Sequence, residues 1–143
     1  MKKTITILTP TLNEVGNIDE LYSRISKITE KNPKYNFEHL FIDNASSDGT
    51  IDKLRKIAKK DKKVKVIINT RNFGVGSSVM HGLHQVQTDA CIHIASDLQD
   101  PPEVIPDLIK KWEEGFKVVV LVKNESEEGR LIFFLRKIYY RFL

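Results

Sequence analysis

The chain has 143 residues, a formal charge of +4 from 23 Lys and Arg against 19 Asp and Glu, and 41% hydrophobic residues, which sets the expectation of one soluble globular domain with an ordinary core. Its basic residues are spread out, with one dense run at 56–65, so nucleic-acid binding is disfavoured. The single cysteine, Cys91, excludes an intrachain disulfide framework and a cysteine zinc site, and fits a reducing, cytoplasmic compartment.

Residues 4–9, "TITILT", form a continuous β-branched run expected to be a strand covered on both faces. The run follows two lysines but stops at Pro10 without a cleavage-site pattern, so it reads as a strand and not as a signal peptide. Asn17 precedes Ile18, Leu21, Tyr22, Ile25 and Ile28 at helical spacing, and Glu20 three residues on suggests a capping box. "HLFID" (39–43) is a second strand, and "NASSDGT" (44–50) a turn into a helix whose inner face is Ile51, Leu54, Ile57 and Ala58. "VKVII" (64–68) is a third strand. A short helix is expected around 76–86, a strand at 90–95, a helix from about Pro102 to Glu114 and a strand, "KVVVLV", at 117–122. No apolar stretch approaches the roughly 20 residues of a membrane-spanning helix, so any membrane contact is expected from the surface.

This alternation predicts an α/β fold with a mainly parallel sheet and helices on both faces. Such sheets bind ligands outside the carboxyl ends of their strands, where the strand order reverses. The polar clusters "PTLNE", "DNASSDGT", "NTRNFG" and "SDLQD" each follow one of the first four strands, and so share one edge.

Each cluster has a bland and a chemical reading. Ser46 to Thr50 suit an Asx turn and helix cap, with Ser47 or Asp48 capping, whereas Asp43 precedes the turn and suits a ligand role. Asn13 and Glu14 could be plain loop residues, with Pro10 and Thr11 shaping a loop beneath a flat ring. "RNFGVG" (71–76) suits close backbone approach to a ligand or phosphate, but no Gly-Lys-Ser/Thr follows, so it is not a Walker loop. His81, His84 and His93 lack zinc-site spacing, and strand-borne His93 is expected to pack in the core. Asp97, Gln99 and Asp100 are hard oxygen donors of the kind Mg²⁺ or Mn²⁺ prefers beside a diphosphate, while Asp100 and Pro101-Pro102 also suit a helix start.

In this order the segments "ITILTPTLNE", "FIDNASSDGT", "TRNFG", "ASDLQDPPEVIPDLIKKWEEGFKVV" and "RKIYYRFL" resemble family 2 glycosyltransferases of the GT-A fold. The likeness falls in the branch that includes dolichyl-phosphate mannose synthase and bacterial polyprenyl-phosphate hexosyltransferases. It implies a Rossmann-like three-layer sandwich in which Pro10, Thr11, Glu14, Asp43, Asn44, Asn72 and Gly74 bind the nucleotide. It also implies that Asp97 and Gln99 serve the diphosphate and a Mg²⁺ or Mn²⁺ ion. The chain departs from the pattern at Ala95, where the first acid of the metal motif is common, and at Asn44, where a second Asp is common.

The resemblance further implies a hexose transferred from a nucleoside-diphosphate sugar, with UDP the expected carrier, to a polyprenyl phosphate or glycan with inversion. The family's general base is expected beyond Leu143, so the chain reads as a donor-binding half: residues 1–123 the nucleotide-sugar-binding domain, 124–143 an amphipathic segment. If that segment is helical, Arg130, Lys137 and Arg141 fall within about 40° of one another. With Arg136, Tyr139 and Tyr140 they suit either the inner membrane face or the absent half of the protein. Two rivals stand: a non-catalytic nucleotide-sugar-binding protein that needs a partner, and, more weakly, a nucleotidyltransferase on a similar sheet. A homo-oligomer is left open.

Overall fold

The structure, a computed structural model, describes residues 1–122. The chain divides into two compact units, Met1–Lys110 and one beginning at Lys111. The expected segment 124–143, with Arg130, Arg136, Lys137, Tyr139, Tyr140 and Arg141, lies outside the described residues.

The first unit runs β1 (Thr4–Thr11), α1 (Ile18–Glu30), β2 (Asn36–Asp43), α2 (Thr50–Lys60), β3 (Val64–Ile68), α3 (Val75–Gln85), β4 (Ala90–His93), a 3-10 turn (Pro102–Val104) and the start of α4 (Ile105–Glu113). Its four strands are all parallel in the order β3-β2-β1-β4. The chain therefore steps outward from β1 to β3, then returns past β2 and β1 to place β4 on the other side. That reversal puts a switch point between β1 and β4.

Right-handed crossovers place helices of outward and return steps on opposite faces, so α3 covers one face and α1 and α2 the other. On the α3 face Leu8, Leu40 and Ile42 form a buried cluster with Ile67, Val79, Val86 and Cys91 packed against it. The strand residues that alternate with them, Ile5, Ile7 and Phe41, are fully buried. The α1 stripe Ile18, Leu21, Ile25 and Ile28 is buried as its spacing predicts, and Leu54 of α2 is fully buried. Burying each such side chain contributes about 2 kcal/mol.

Four expectations need correction. The capping box does not form: Asn17 makes no cap bond and donates instead to Glu14 Oε2 at 2.7 Å, while Glu20 turns to Arg24 one helical turn on. The helix expected from Pro102 opens as a 3-10 turn: Pro106 has no N–H to donate to Pro102 O, which accepts from Ile105 N instead. His93 is exposed and not in the core, because β4 pairs only with β1 among the described residues.

The fourth concerns 117–122, described as part of the second unit. This run is not a strand, and Val118, Val120 and Val122 are exposed. A β-branched run needs a neighbouring strand to satisfy its backbone, and no such ladder is present among the described residues. Just before it α4 ends in a Schellman stop: Gly115 takes a φ of 101°, its N–H donates to Trp112 O at 2.9 Å, and Phe116 N donates to Lys111 O at 3.3 Å.

Candidate donor-binding site

The first wall is built where β1 and β2 end together. Thr11 and Asp43 are register partners, and Asp43 is fully buried. Its carboxylate accepts from Thr11 Oγ1 at 3.0 Å, Ser46 N at 2.8 Å and Ser46 Oγ at 2.6 Å. Three donors offset much of the cost of burying a charge there. Ala45 adopts a φ of 66°, which folds Ser46 back onto Asp43.

The loop after β1 is stitched to the loop after β2. Asn13, at a φ of 57°, donates its N–H to Ser46 Oγ at 2.8 Å and accepts from Ser47 N at 2.9 Å through Oδ1. Val15 N donates to Asp48 Oδ2 at 3.0 Å, and Glu14 N to Thr50 Oγ1 at 2.9 Å. Asp48 also accepts from Thr50 N and Oγ1, at 3.0 and 2.6 Å, so it is Asp48 that starts α2, from the residue before the N-cap Gly49. The Thr50 hydroxyl is the main reason the Asp48 carboxyl sits below its ordinary range.

The second wall comes from the loop after β3. Asn44, buried at 4%, accepts from Phe73 N at 3.0 Å and donates to Asn72 Oδ1 at 2.8 Å. Gly74 N donates to the same Asn72 oxygen at 2.8 Å, and Gly74 itself takes a φ of 83° that favours glycine. Beside them the Arg71 guanidinium stacks on the Phe73 ring at 4.3 Å.

The third wall is the loop after β4. Ser96 is buried, Asp97 is exposed, and Asp97 Oδ1 accepts from Gln99 N at 3.1 Å across a turn in which Leu98 has a φ of 60°. Pro101 and the 3-10 turn carry the chain away, and Arg24 of α1 clasps Glu103 of that turn by donating from Nε, at 2.9 Å, and from Nη2. The loop is thus anchored to the body of the unit.

Between these walls lies a cleft of about 280 Å³. Pro10, Thr11 and Glu14 line it from β1, Asn44 from β2, Asn72 and Gly74 from the third loop, and Ala95, Ser96 and Asp97 from the fourth. Two predicted site residues are not on its surface: Asp43 lies behind the wall, and Gln99 lies beyond Asp97 with its side chain exposed. A larger cavity of about 610 Å³, with Lys2, Tyr35 and Lys63, opens where β1 and β2 begin, the edge at which parallel sheets do not hold ligands.

Asp97 and Glu14 are the carboxylates on the cleft wall, and Glu14 Oε2 is already bound by Asn17. Ala95 offers no donor, and among the described residues no group of three or more His, Cys, Asp or Glu converges. A divalent ion of the Mg²⁺ type needs only one or two protein carboxylates when substrate phosphates complete its shell. Asp97, with one oxygen not used by Gln99, fits that requirement together with a diphosphate. His81 and His84 are exposed on α3 and take no part.

Sequence reasoning missed Asn13, Ser46, Asn69 and Ser78 as builders of the walls. Asn69 carried a signal, an amide directly after an apolar strand, but Ser78 lies inside a helix and carried none.

A parallel α/β sheet whose polar loops converge beside its switch point defines a ligand-binding protein of the doubly wound class. The chain belongs to glycosyl transferase family 2, whose family model matches residues 6–141. It is 38% identical over 128 residues to a bactoprenol glucosyl transferase of Shigella phage SfV, covering 89% of this chain and 41% of that protein. S. aureus TarS 1-349 in complex with UDP superposes with a TM-score of 0.63 at 22% identity, over 87% of this chain and 40% of that 1-349 chain. A mannosyltransferase from Pyrobaculum calidifontis in complex with GDP-Man and Mn²⁺ gives 0.59 at 21% identity, over 71% and 34% of the two chains. These solved structures share the GT-A fold. The chain spans about two fifths of the length of the curated relatives it matches.

Proposed function

We propose that this chain is the donor-binding part of a glycosyltransferase that takes a nucleoside-diphosphate sugar, UDP-linked, into the cleft between Thr11, Asn72 and Asp97. The observation that carries the reading is the convergence of four separate strand ends on one cleft. Pro10, Thr11, Glu14, Asn44, Asn72 and Gly74 would contact the nucleotide, with Asp43 bracing the loops beneath it. Asp97, with Gln99 beside it, would hold a Mg²⁺ or Mn²⁺ ion, which neutralises diphosphate charge when bound. Two acidic side chains facing a diphosphate otherwise repel it, which favours a cation there.

In the whole protein an acceptor oxygen would attack the anomeric carbon as the bond to the diphosphate breaks, its electron pair leaving with the nucleotide and the configuration inverting. A polyprenyl phosphate is the preferred acceptor. Its oxygen is already ionised and needs little help from a base. The bactoprenol transferase of the Shigella phage, so named, supports a lipid-linked acceptor. Segment 124–143, basic and aromatic in sequence, would then meet the membrane surface.

The small number of cleft carboxylates, Asp97 and Glu14, each with one oxygen already engaged, also favours a second reading, nucleotide-sugar binding without transfer. Calorimetric titration with UDP, with and without Mn²⁺, tests the site. Mn²⁺ should tighten UDP binding, and Asp97→Ala should remove that gain; equal affinity in the two proteins would sink the role of Asp97. Transfer from UDP-glucose to a polyprenyl phosphate separates the two readings.

A further inference from the structure

Asn44, Asn69, Asn72 and Ser78 form one hydrogen-bonded chain running from the cleft wall into the interior, and two of its links end on backbone N–H groups. A backbone N–H only donates, so the side-chain atom facing it must be an acceptor. Phe73 N donates to Asn44 Oδ1 at 3.0 Å, which fixes that oxygen and turns Asn44 Nδ2 toward Asn72. Gly74 N fixes Asn72 Oδ1 in the same way at 2.8 Å. Asn44 Nδ2 donates to that oxygen too, at 2.8 Å, so both of its lone pairs are used.

Asn69 Nδ2 completes the arrangement from the end of β3. It donates to Asn44 Oδ1 at 3.2 Å and to Ser78 Oγ at 3.0 Å, filling Asn44's second lone pair and tying it to α3. Asn44, Asn69 and Ser78 are buried at 4%, 9% and 1%, whereas Asn72 is exposed; Asn44 and Asn72 line the cleft, and Asn69 and Ser78 lie off it. With its oxygen spent inward, Asn72 has only its Nδ2 group left to offer a ligand.

We infer that this amide relay commits Asn72 to donate to an acceptor oxygen of the bound nucleotide, with Asn44, Asn69 and Ser78 as positioning residues that set its polarity. The inference rests on the reading of the cleft as a nucleotide site. The acceptor oxygen belongs to a phosphate or to a base carbonyl, both of which require a donor. An Asp at position 44 would break the relay: it has no hydrogen for Asn72 Oδ1 and sets a second acceptor against it, while Gly74 N still holds that oxygen, so Asn72 loses the bond that steers its Nδ2 toward the ligand.

Side-chain amide hydrogen exchange, read by ¹⁵N NMR on the free 143-residue chain, reports the polarity without any ligand. Slow exchange at Asn44 and Asn69 with fast exchange at Asn72 is expected, and the reverse pattern overturns the relay. Calorimetry with UDP, UMP and uridine, Mn²⁺ present, then compares wild type, Asn44→Asp and the uncharged Asn69→Leu, which lies off the cleft wall. Asn44→Asp should lose about tenfold in affinity, for all three ligands if the oxygen is a base carbonyl and for the phosphorylated ones alone if it is a phosphate. Asn69→Leu should weaken the same ligands. A loss confined to Asn44→Asp would mean charge repulsion and overturn the relay, as would unchanged affinity in Asn44→Asp. Failure of the wild type to bind any of the three sinks the nucleotide reading and the donor role with it, while the exchange pattern still decides the polarity.

Discussion

Thr11 Oγ1 donates to Asp43 Oδ2 at 3.0 Å across the last rung of the β1–β2 pair. The bond joins the two strand ends at the floor of the cleft and supplies one of the three donors to a fully buried carboxylate. Thr11→Val keeps the shape and removes the donor. The expected cost is about 1–2 kcal/mol in urea unfolding, since a buried acceptor loses part of its satisfaction. An unchanged midpoint would show that the Ser46 bonds alone suffice.

His39 gives a pH dependence with a definite sign. It is buried at 5%, its Nε2 lies 3.0 Å from Thr9 Oγ1, its ring stacks on Phe41 at 3.9 Å, and its Nδ1 has no partner among the described residues. Burial pushes its pKa down to about 3 from the ordinary 6.5, with Asp61 acting weakly the other way. The unfolded chain therefore binds a proton that the folded chain refuses between those values. Stability from this group is complete above its unfolded pKa and falls with pH through that window, by up to about 1.4 kcal/mol per unit. His39→Leu should flatten the wild-type stability curve below about pH 6 by that slope, measured by urea unfolding at each pH; parallel curves would refute the assignment.

Gly82 lies where α3 crosses β1. A Cβ there would stand 2.6 Å from Leu8 Cδ1, inside a packed cluster. Gly82→Ala gains about 1 kcal/mol of helix propensity, against about 1–3 kcal/mol of overpacking. A net lowering of the thermal midpoint is expected, and Leu8→Ala in the same chain should make the glycine substitution less costly.

Cys91 should be a slow thiol. Burial against the β1–β2 cluster raises its pKa to about 11. Little thiolate is then present at pH 8, and modification by a disulfide reagent in the native chain is expected to run about a hundredfold slower than after denaturation. Comparable rates would show that the strand edge opens readily.

The strands and helices of the first unit were legible because each carried its own period: the β-branched run of β1, the Ile18–Ile28 stripe of α1 and the apolar block of β3 needed no partner to be recognised. Their polar ends pointed to the edge on which the lined cleft lies. The failures share one cause. Whether Asn17 caps α1 depends on Glu14 standing nearby, whether 117–122 pairs depends on another strand, and whether His93 packs depends on what flanks β4. Likewise Asn69 and Ser78 enter the site only through Asn44, 25 and 34 residues earlier in the chain, a relation that local pattern does not encode.

The strand order also has a kinetic meaning. β1 and β2 meet through one short crossover, but β4 joins β1 by pairing Ile5 with Ala90, the most distant strand contact in sequence. Closing the longer loop costs more chain entropy, so the Thr11–Asp43 floor is expected to form ahead of the Asp97 wall. Half a cleft has no ligand to gain. If the cleft takes a nucleotide as proposed, its occupancy reports the final strand pairing, and a nucleotide added during refolding should be captured only in the last phase.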